Sequence, residues 1–312
     1  MMRAMSRMSH CCVAGALFSS MLWMCEYVRA DEDRSHYVDS VSAHLHASSC
    51  YSLPDGYGKG FNPSINFPME LLAENYPWEG VNFKKEPREY MEIVKEYVLE
   101  GNREVDWNVA ENSVRGWYHA PWLHLGYRGR EPIHGMTMEL TSPKYYLHEM
   151  QETRANNWAV GFYNAPGGYA VGQVWRDPSR PNTENFEFPE GTVSVKLLFT
   201  DAAVEEVPYL KGSKVWFAQI ERDKTPVEMR LLQLDIAVKD SSLGNQTGWV
   251  FGTFLFQSEE SESDVFEQLV PVGLHWGNDP NRTEADFRAE KELEEGWVNS
   301  RIASLLSDLP RE

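Results

Sequence analysis

The sequence predicts an α+β fold, an antiparallel β-sheet core with flanking helices, on three observations. Pro226 to Gln257 reads as two long strands joined by a polar turn: Leu232, Leu234, Ile236 and Val238 fall on alternate positions, and Trp249 to Phe256 is an almost unbroken apolar run. Between them, Asp240 to Gly248 is made mostly of residues that tolerate turns and positive φ. The other strand-like segments between Trp158 and Leu274 are joined by short polar stretches with no room for crossover helices, so the sheet is antiparallel. Helical periodicity stands before this region and a charged helical stretch after it.

Taken in order, residues 1–30 read as a signal peptide. Arg3 and Arg7 give a positive start, Cys11 to Met24 is largely apolar, and Val28-Arg29-Ala30 offers small residues for cleavage before Asp31. The apolar run is short of the ~20 residues a membrane span needs, so no span is expected after cleavage; an uncleaved anchor is the alternative. Residues 31–85 form an irregular lead-in, with a short helix expected over Pro68 to Tyr76, and residues 86–312 form a single α+β domain. A stronger helix runs from Pro87 to Glu100, where Tyr90, Ile93, Val94, Tyr97 and Val98 share a face and Gly101 suits the stop.

Ser142-Pro143 reads as the cap of a further helix reaching Thr153. Trp158, Val160 and Phe162 then lead as a strand into a turn at Asn164-Ala-Pro-Gly-Gly168, with Tyr169 to Trp175 leading away as another. Thr192 to Thr200 alternates Val193, Val195, Leu197 and Phe199 against Ser194 and Lys196. Strands at Lys214 to Glu221 and Gln268 to Leu274, and a closing helix from Thr283 to about Leu306, complete the expectation.

The 312-residue chain has a formal net charge of −18, and loss of Arg3, Arg7 and Arg29 against Glu26 alone makes the exported form more acidic still. Such a surface excludes nucleic acid as a partner, since phosphate binding rests on clustered Lys and Arg. Of four cysteines, Cys11, Cys12 and Cys25 lie in or beside the signal, leaving Cys50 alone. There is no CxxCH and no thiolate zinc spacing, so c-type haem attachment and structural thiolate zinc are excluded on this sequence. GxSxG, Walker, HExxH and EF-hand spacings are absent as well.

Chemistry concentrates in Gly116 to Gly135, which holds His119, His124, His134, Trp117, Trp122 and Arg130 among glycines and prolines that disfavour regular structure. Trp276, His275 and Asp279 follow the last expected strand. Ligand-binding candidates are therefore Trp117, His119, Trp122, His124, Arg130, Trp276 and Asp279, while His119, His134 and His275 would be the ligands of a metal ion if the fold brings them together. A turn in which Asp279 satisfies local backbone groups is the plainer reading of its segment. The tryptophans suit either a core or, where exposed, stacking on sugars or a flat cofactor. Asn245-Gln-Thr and Asn281-Arg-Thr match the glycosylation acceptor.

His119-Ala-Pro-Trp122, Gly129 to Gly135, Trp158 to Gly168, Phe188-Pro-Glu-Gly-Thr192, Thr247 to Thr253 and Pro271 to Pro280 resemble segments of a group of exported bacterial proteins in which this domain precedes a CxxCH haem segment. The likeness covers about Trp117 to Trp297. It implies redox company, with a haem protein or a small ligand as partner, although the haem motif itself has no counterpart here. Pro189-Glu-Gly-Thr192 leading into a strand with Lys196 is also similar to cytochromes of the P-460 type, antiparallel-sheet haem proteins, which bears on fold. The leading expectation is an exported (periplasmic or extracellular) ligand-binding or redox-accessory module. A metal-dependent oxidoreductase or hydrolase using the loop histidines, and a carbohydrate-binding module using the tryptophans, are the alternatives.

Overall fold

The computed structural model describes residues 64–71, 74–119, 134–177, 180–184, 186–218, 224–244, 247–258, 264–289 and 291–302. The signal segment, Cys50, Trp122, His124 and Arg130 lie outside them. Among the described residues the strands are β1 (Trp117–His119), β2 (Thr137–Met138), β3 (Asn157–Asn164), β4 (Val193–Thr200), β5 (Val215–Ala218), β6 (Val227–Lys239), β7 (Trp249–Phe256), β8 (Leu269–His275) and β9 (Gly296–Val298). The helices are α1 (Pro87–Leu99), α2 (Ala165–Val174) and α3 (Glu284–Arg288). All nine strands belong to one sheet in the order β1-β3-β4-β6-β7-β8-β9, with β2 beside β3 and β5 beside β6, and every pairing is antiparallel.

The expected hairpin is central, with Lys239 opposite Trp249 and Leu234 opposite Phe254. Its alternation is broken once. The register against β4 shifts so that Phe199 faces Leu231, leaving Leu232 as the extra residue of a bulge.

Register divides the side chains between two faces, because partners across a ladder point the same way. One face carries Trp117, Phe162, Val195, Ile236, Gly252 and Leu274, and α1 packs on it. A Cβ at Gly252 would sit 3.1 Å from Ile236, Leu274 and Met91 alike, so glycine lets the Met91 thioether of α1 close down on the sheet. Of the predicted face, Tyr90, Val94, Tyr97 and Val98 are buried and Ile93 is only partly so; Met91, outside that prediction, is fully buried, and Gly101 takes φ +76° just beyond the helix. The second face carries Tyr118, Tyr163, Ser194, Lys196, Asp235, Phe251, Thr253 and His275. Helix α2 covers one end of it, with Gly167 and Gly168 against the Tyr163 and Tyr118 rings.

Several expectations are corrected. Asn164 to Gly168 opens α2 rather than a hairpin: the Asn164 carboxamide oxygen accepts from Gly167 N, Pro166 occupies the first turn, and Pro166, Ala170, Val171 and Val174 form the buried helical face. The same cap-then-proline signature at Ser142-Pro143 starts no helix. Of the apolar residues after it only Leu147 is buried, while Tyr145, Tyr146 and Met150 are exposed, and the segment is a turn clasped by a Ser142–Ala155 bridge and the buried Gln151. The described part of Pro68 to Tyr76 is likewise non-helical. Thr283 to Leu306 is not one helix either: Arg282 donates to the carbonyls of Lys291 and Glu292, the chain turns back after α3, and Gly296 to Val298 pairs with β8. Finally, the Gly116 to Gly135 stretch, expected to be irregular, begins in strand β1, and β2 follows just beyond it.

Candidate functional site

The three histidines named for a metal sit in three settings. His119 is buried in β1, where its Nδ1 accepts from Ser64 N at 2.8 Å, its own backbone N donates to Ser64 O at 2.8 Å, and its ring meets Phe162 edge-on. His134 lies flat on Trp216, 4.6 Å between centroids and 4° between planes, and Trp216 in turn stacks on Phe199. His275 stacks on Phe251 at 4.9 Å. The chain of partners from His119 through Phe162, Val195, Ile236 and Gly252 to Leu274 stays on one face, so His275, the next residue, projects from the other. His119 and His275 are thus on opposite sides of the sheet. Among the described residues, no group of three or more His, Cys, Asp or Glu is placed to hold a metal ion.

Trp117 and Trp276 are core residues. Trp117 is wholly buried beside Tyr97 under α1, and Trp276 packs on Phe83. Asp279 clasps the turn after β8: its carboxylate accepts from Glu295 N at 2.7 Å, while the Glu295 carboxylate accepts from Asn278 N and Asp279 N at 2.9 Å each. This reciprocal clasp holds Asp279 at φ +43°, and Arg282 lies 3.9 Å from its carboxylate.

What the fold does assemble lies on the second face. At its centre Lys196 of β4 places Nζ 3.1 Å from Asp235 Oδ2 of β6, and Asp235 Oδ1 accepts from Thr253 Oγ1 at 2.8 Å and from Gln233 Nε2 at 2.6 Å. The Asp235 side chain is only 5% exposed, yet Lys196 keeps 21% of its own. Protein nonetheless surrounds Lys196 closely enough that burial is the largest influence on its ammonium. Lys196 is thus packed by protein and still keeps part of its surface. Burial alone would lower that ammonium's pKa; Asp235 and Glu139 outweigh it, and the net shift is upward, so Lys196 is a permanently charged donor.

One row away, Tyr118, Tyr163, Ser194, Ala237, Phe251, His275 and Gly296 align across the sheet. The Tyr163 hydroxyl bonds Ser194, and its pKa is pushed up to about 12 by burial, which that bond only partly offsets. Aromatic rings continue the wall: Phe188 stacks on Tyr163 and meets Trp249 edge-on, Trp249 stacks on Phe251, and Phe251 on His275. Burial lowers the His275 pKa below 6.5, against weaker upward pulls from the Gly277 backbone and Asp279, so the imidazole is neutral near pH 7. Ser194, Lys196, Gln233, Trp249, Phe251 and His275 all remain partly exposed. Gly161, beside Lys196 in its row, would carry a Cβ with only the Val195 carbonyl, at 3.7 Å, near it among the described residues.

Lys196, Asp235, Trp249 and Phe251 were not among the site candidates named from the sequence. The available signal was Asp235 itself, a carboxylate inside the apolar alternation of a central strand, together with a β7 run apolar on both faces. No protein-family model, no curated protein and no solved structure matches the chain.

Proposed function

We propose that the protein is an exported ligand-binding module that holds a small molecule in the recess on the second face of its sheet. The observation that carries this reading is the combination, on one half-buried surface, of a fixed Lys196–Asp235 pair and an aromatic wall of Trp249, Phe251 and His275. An apolar hollow with a few convergent polar groups is the ordinary form of a small-ligand site. A structural ion pair needs no partly exposed rings beside it, and a sheet face meant only for solvent would not bury a carboxylate. Lys196 is a donor and not a base at neutral pH, so the arrangement favours binding over proton abstraction.

The neutral dye Nile red, whose emission rises in apolar sites, tests the reading. Saturable binding by the intact protein, weakened by Phe251→Ala and untouched by Met69→Ala on the exposed surface, is expected. Equal binding by Phe251→Ala and the parent protein would remove the support. Export is tested separately: the secreted form should have a mass beginning at Asp31, and retention of Met1 to Ala30 would contradict cleavage. No helix among the described residues is long and apolar enough to cross a membrane.

A further inference from the structure

We propose that the ligand of this recess is an uncharged flat ring bearing a carbonyl or amide oxygen, and that carboxylates and phosphates are rejected. The proposal rests on the ligand-binding reading above and adds the chemical class.

The argument begins with charge balance. Lys196 supplies the cation at the floor, and its charge is already matched by Asp235 at 3.1 Å. Glu139 adds a second negative charge acting on the same ammonium. An incoming anion would therefore be the third negative group facing one cation, in a hollow where screening by water is weak. A neutral acceptor avoids that repulsion. It can take one of the ammonium protons not directed at Asp235, since Lys has three donors. Asp235 cannot swing away to release Lys196, because Thr253 and Gln233 hold its other oxygen.

Shape gives the second half. Trp249, Phe251 and His275 stand in a file, with 23° between the first two planes and 19° between the last two. One further flat ring continues such a file at little cost, whereas a branched aliphatic group does not. Gly161, beside Lys196 in its row, contributes no side chain to obstruct approach over the floor. Neutral His275 adds no positive charge that would draw an anion to the wall.

Benzamide and benzoate have nearly the same size and differ in charge, so their competition against bound Nile red on the full chain isolates the point. Benzamide should displace the dye at a concentration about tenfold lower than benzoate, a difference of ~1.4 kcal/mol. Asp235→Asn, which leaves Glu139 as the remaining negative charge on the ammonium, should close or invert that ratio. Lys196→Met should weaken benzamide about tenfold more than it weakens the dye. Should Asp235→Asn fail to fold, the ratio in the parent protein and the Lys196→Met comparison still decide. Benzoate equal to or tighter than benzamide, failure of both to displace the dye, or benzamide binding indifferent to Lys196→Met would overturn the proposal while Phe251-dependent dye binding kept the broader reading intact. Dye binding indifferent to Phe251→Ala would instead sink that reading.

Discussion

Replacing Lys196 with Met deletes the cation of the central pair and leaves the Asp235 carboxylate buried with only Thr253 and Gln233 as donors. At 3.1 Å and an effective dielectric of ~20, the gross attraction is about 5 kcal/mol, and desolvation of both ions cancels a large part of it. Breaking such a pair one-sidedly costs about 3–5 kcal/mol when both partners are dry. With a fifth of Lys196 exposed and two donors remaining on Asp235, a loss of about 2–3 kcal/mol is expected. Urea unfolding followed by tryptophan fluorescence measures it. The double variant Lys196→Met/Asp235→Leu should be more stable than Lys196→Met alone, because no uncompensated charge is left. The pH dependence follows from the sign of the shift: the folded pKa of Lys196 lies above 10.5, so its contribution is complete below 10.5 and disappears as pH rises through the folded value. The gap between parent and Lys196→Met should therefore be constant from about pH 6 to 9. A loss under about 0.5 kcal/mol, the range of an exposed pair, would refute the picture of a recessed one.

Three further outcomes are expected. Asn164→Ala removes bonds to Gly191 O, Val193 N, Gly167 N and Tyr97 Oη, and with them both the cap of α2 and the tie between β3 and β4; a loss of about 3 kcal/mol in the same unfolding assay is expected, and an effect below 1 would contradict it. His275 has a folded pKa below its unfolded value of 6.5, so the unfolded chain binds the extra proton and stability falls as pH drops below 6.5; His275→Phe should flatten that slope, and an unchanged slope would assign it elsewhere. Amide exchange should be slowest in Leu234 to Val238 and Val250 to Phe256 together, and early exchange in either strand would argue against a central hairpin.

The hairpin was legible because Leu234, Ile236, Val238 and the β7 run combine period-two patterning with turn chemistry between them. Helix α1 was legible because its apolar face coincides with its stop at Gly101. Elsewhere a local signature misled until a burial pattern was required to agree with it. Asn164-Ala-Pro and Ser142-Pro carry the same cap signal, and only the first is followed by a buried helical face, the second burying Leu147 alone among its apolar residues. The described site candidates show a different limit of local signals. Histidines and tryptophans in Gly-rich and Pro-rich segments draw attention as chemistry, yet Trp117 and Trp276 pack in the core and Asp279 closes a turn. Lys196 and Asp235 are 39 positions apart and meet only through the pairing of β4 with β6, a register that no local pattern announces.

The measurement that bears most directly on the central claim uses the indole N–H resonances of a 15N-labelled sample titrated with benzamide. Trp249 stands on the second face beside Phe251, whereas Trp117, Trp158 and Trp276 are buried in the core. A progressive, saturable shift of the Trp249 signal with the other three unmoved is the predicted result. Shifts at Trp117, Trp158 or Trp276 with Trp249 unchanged, or no shift at any indole, would contradict a ligand recess on the second face.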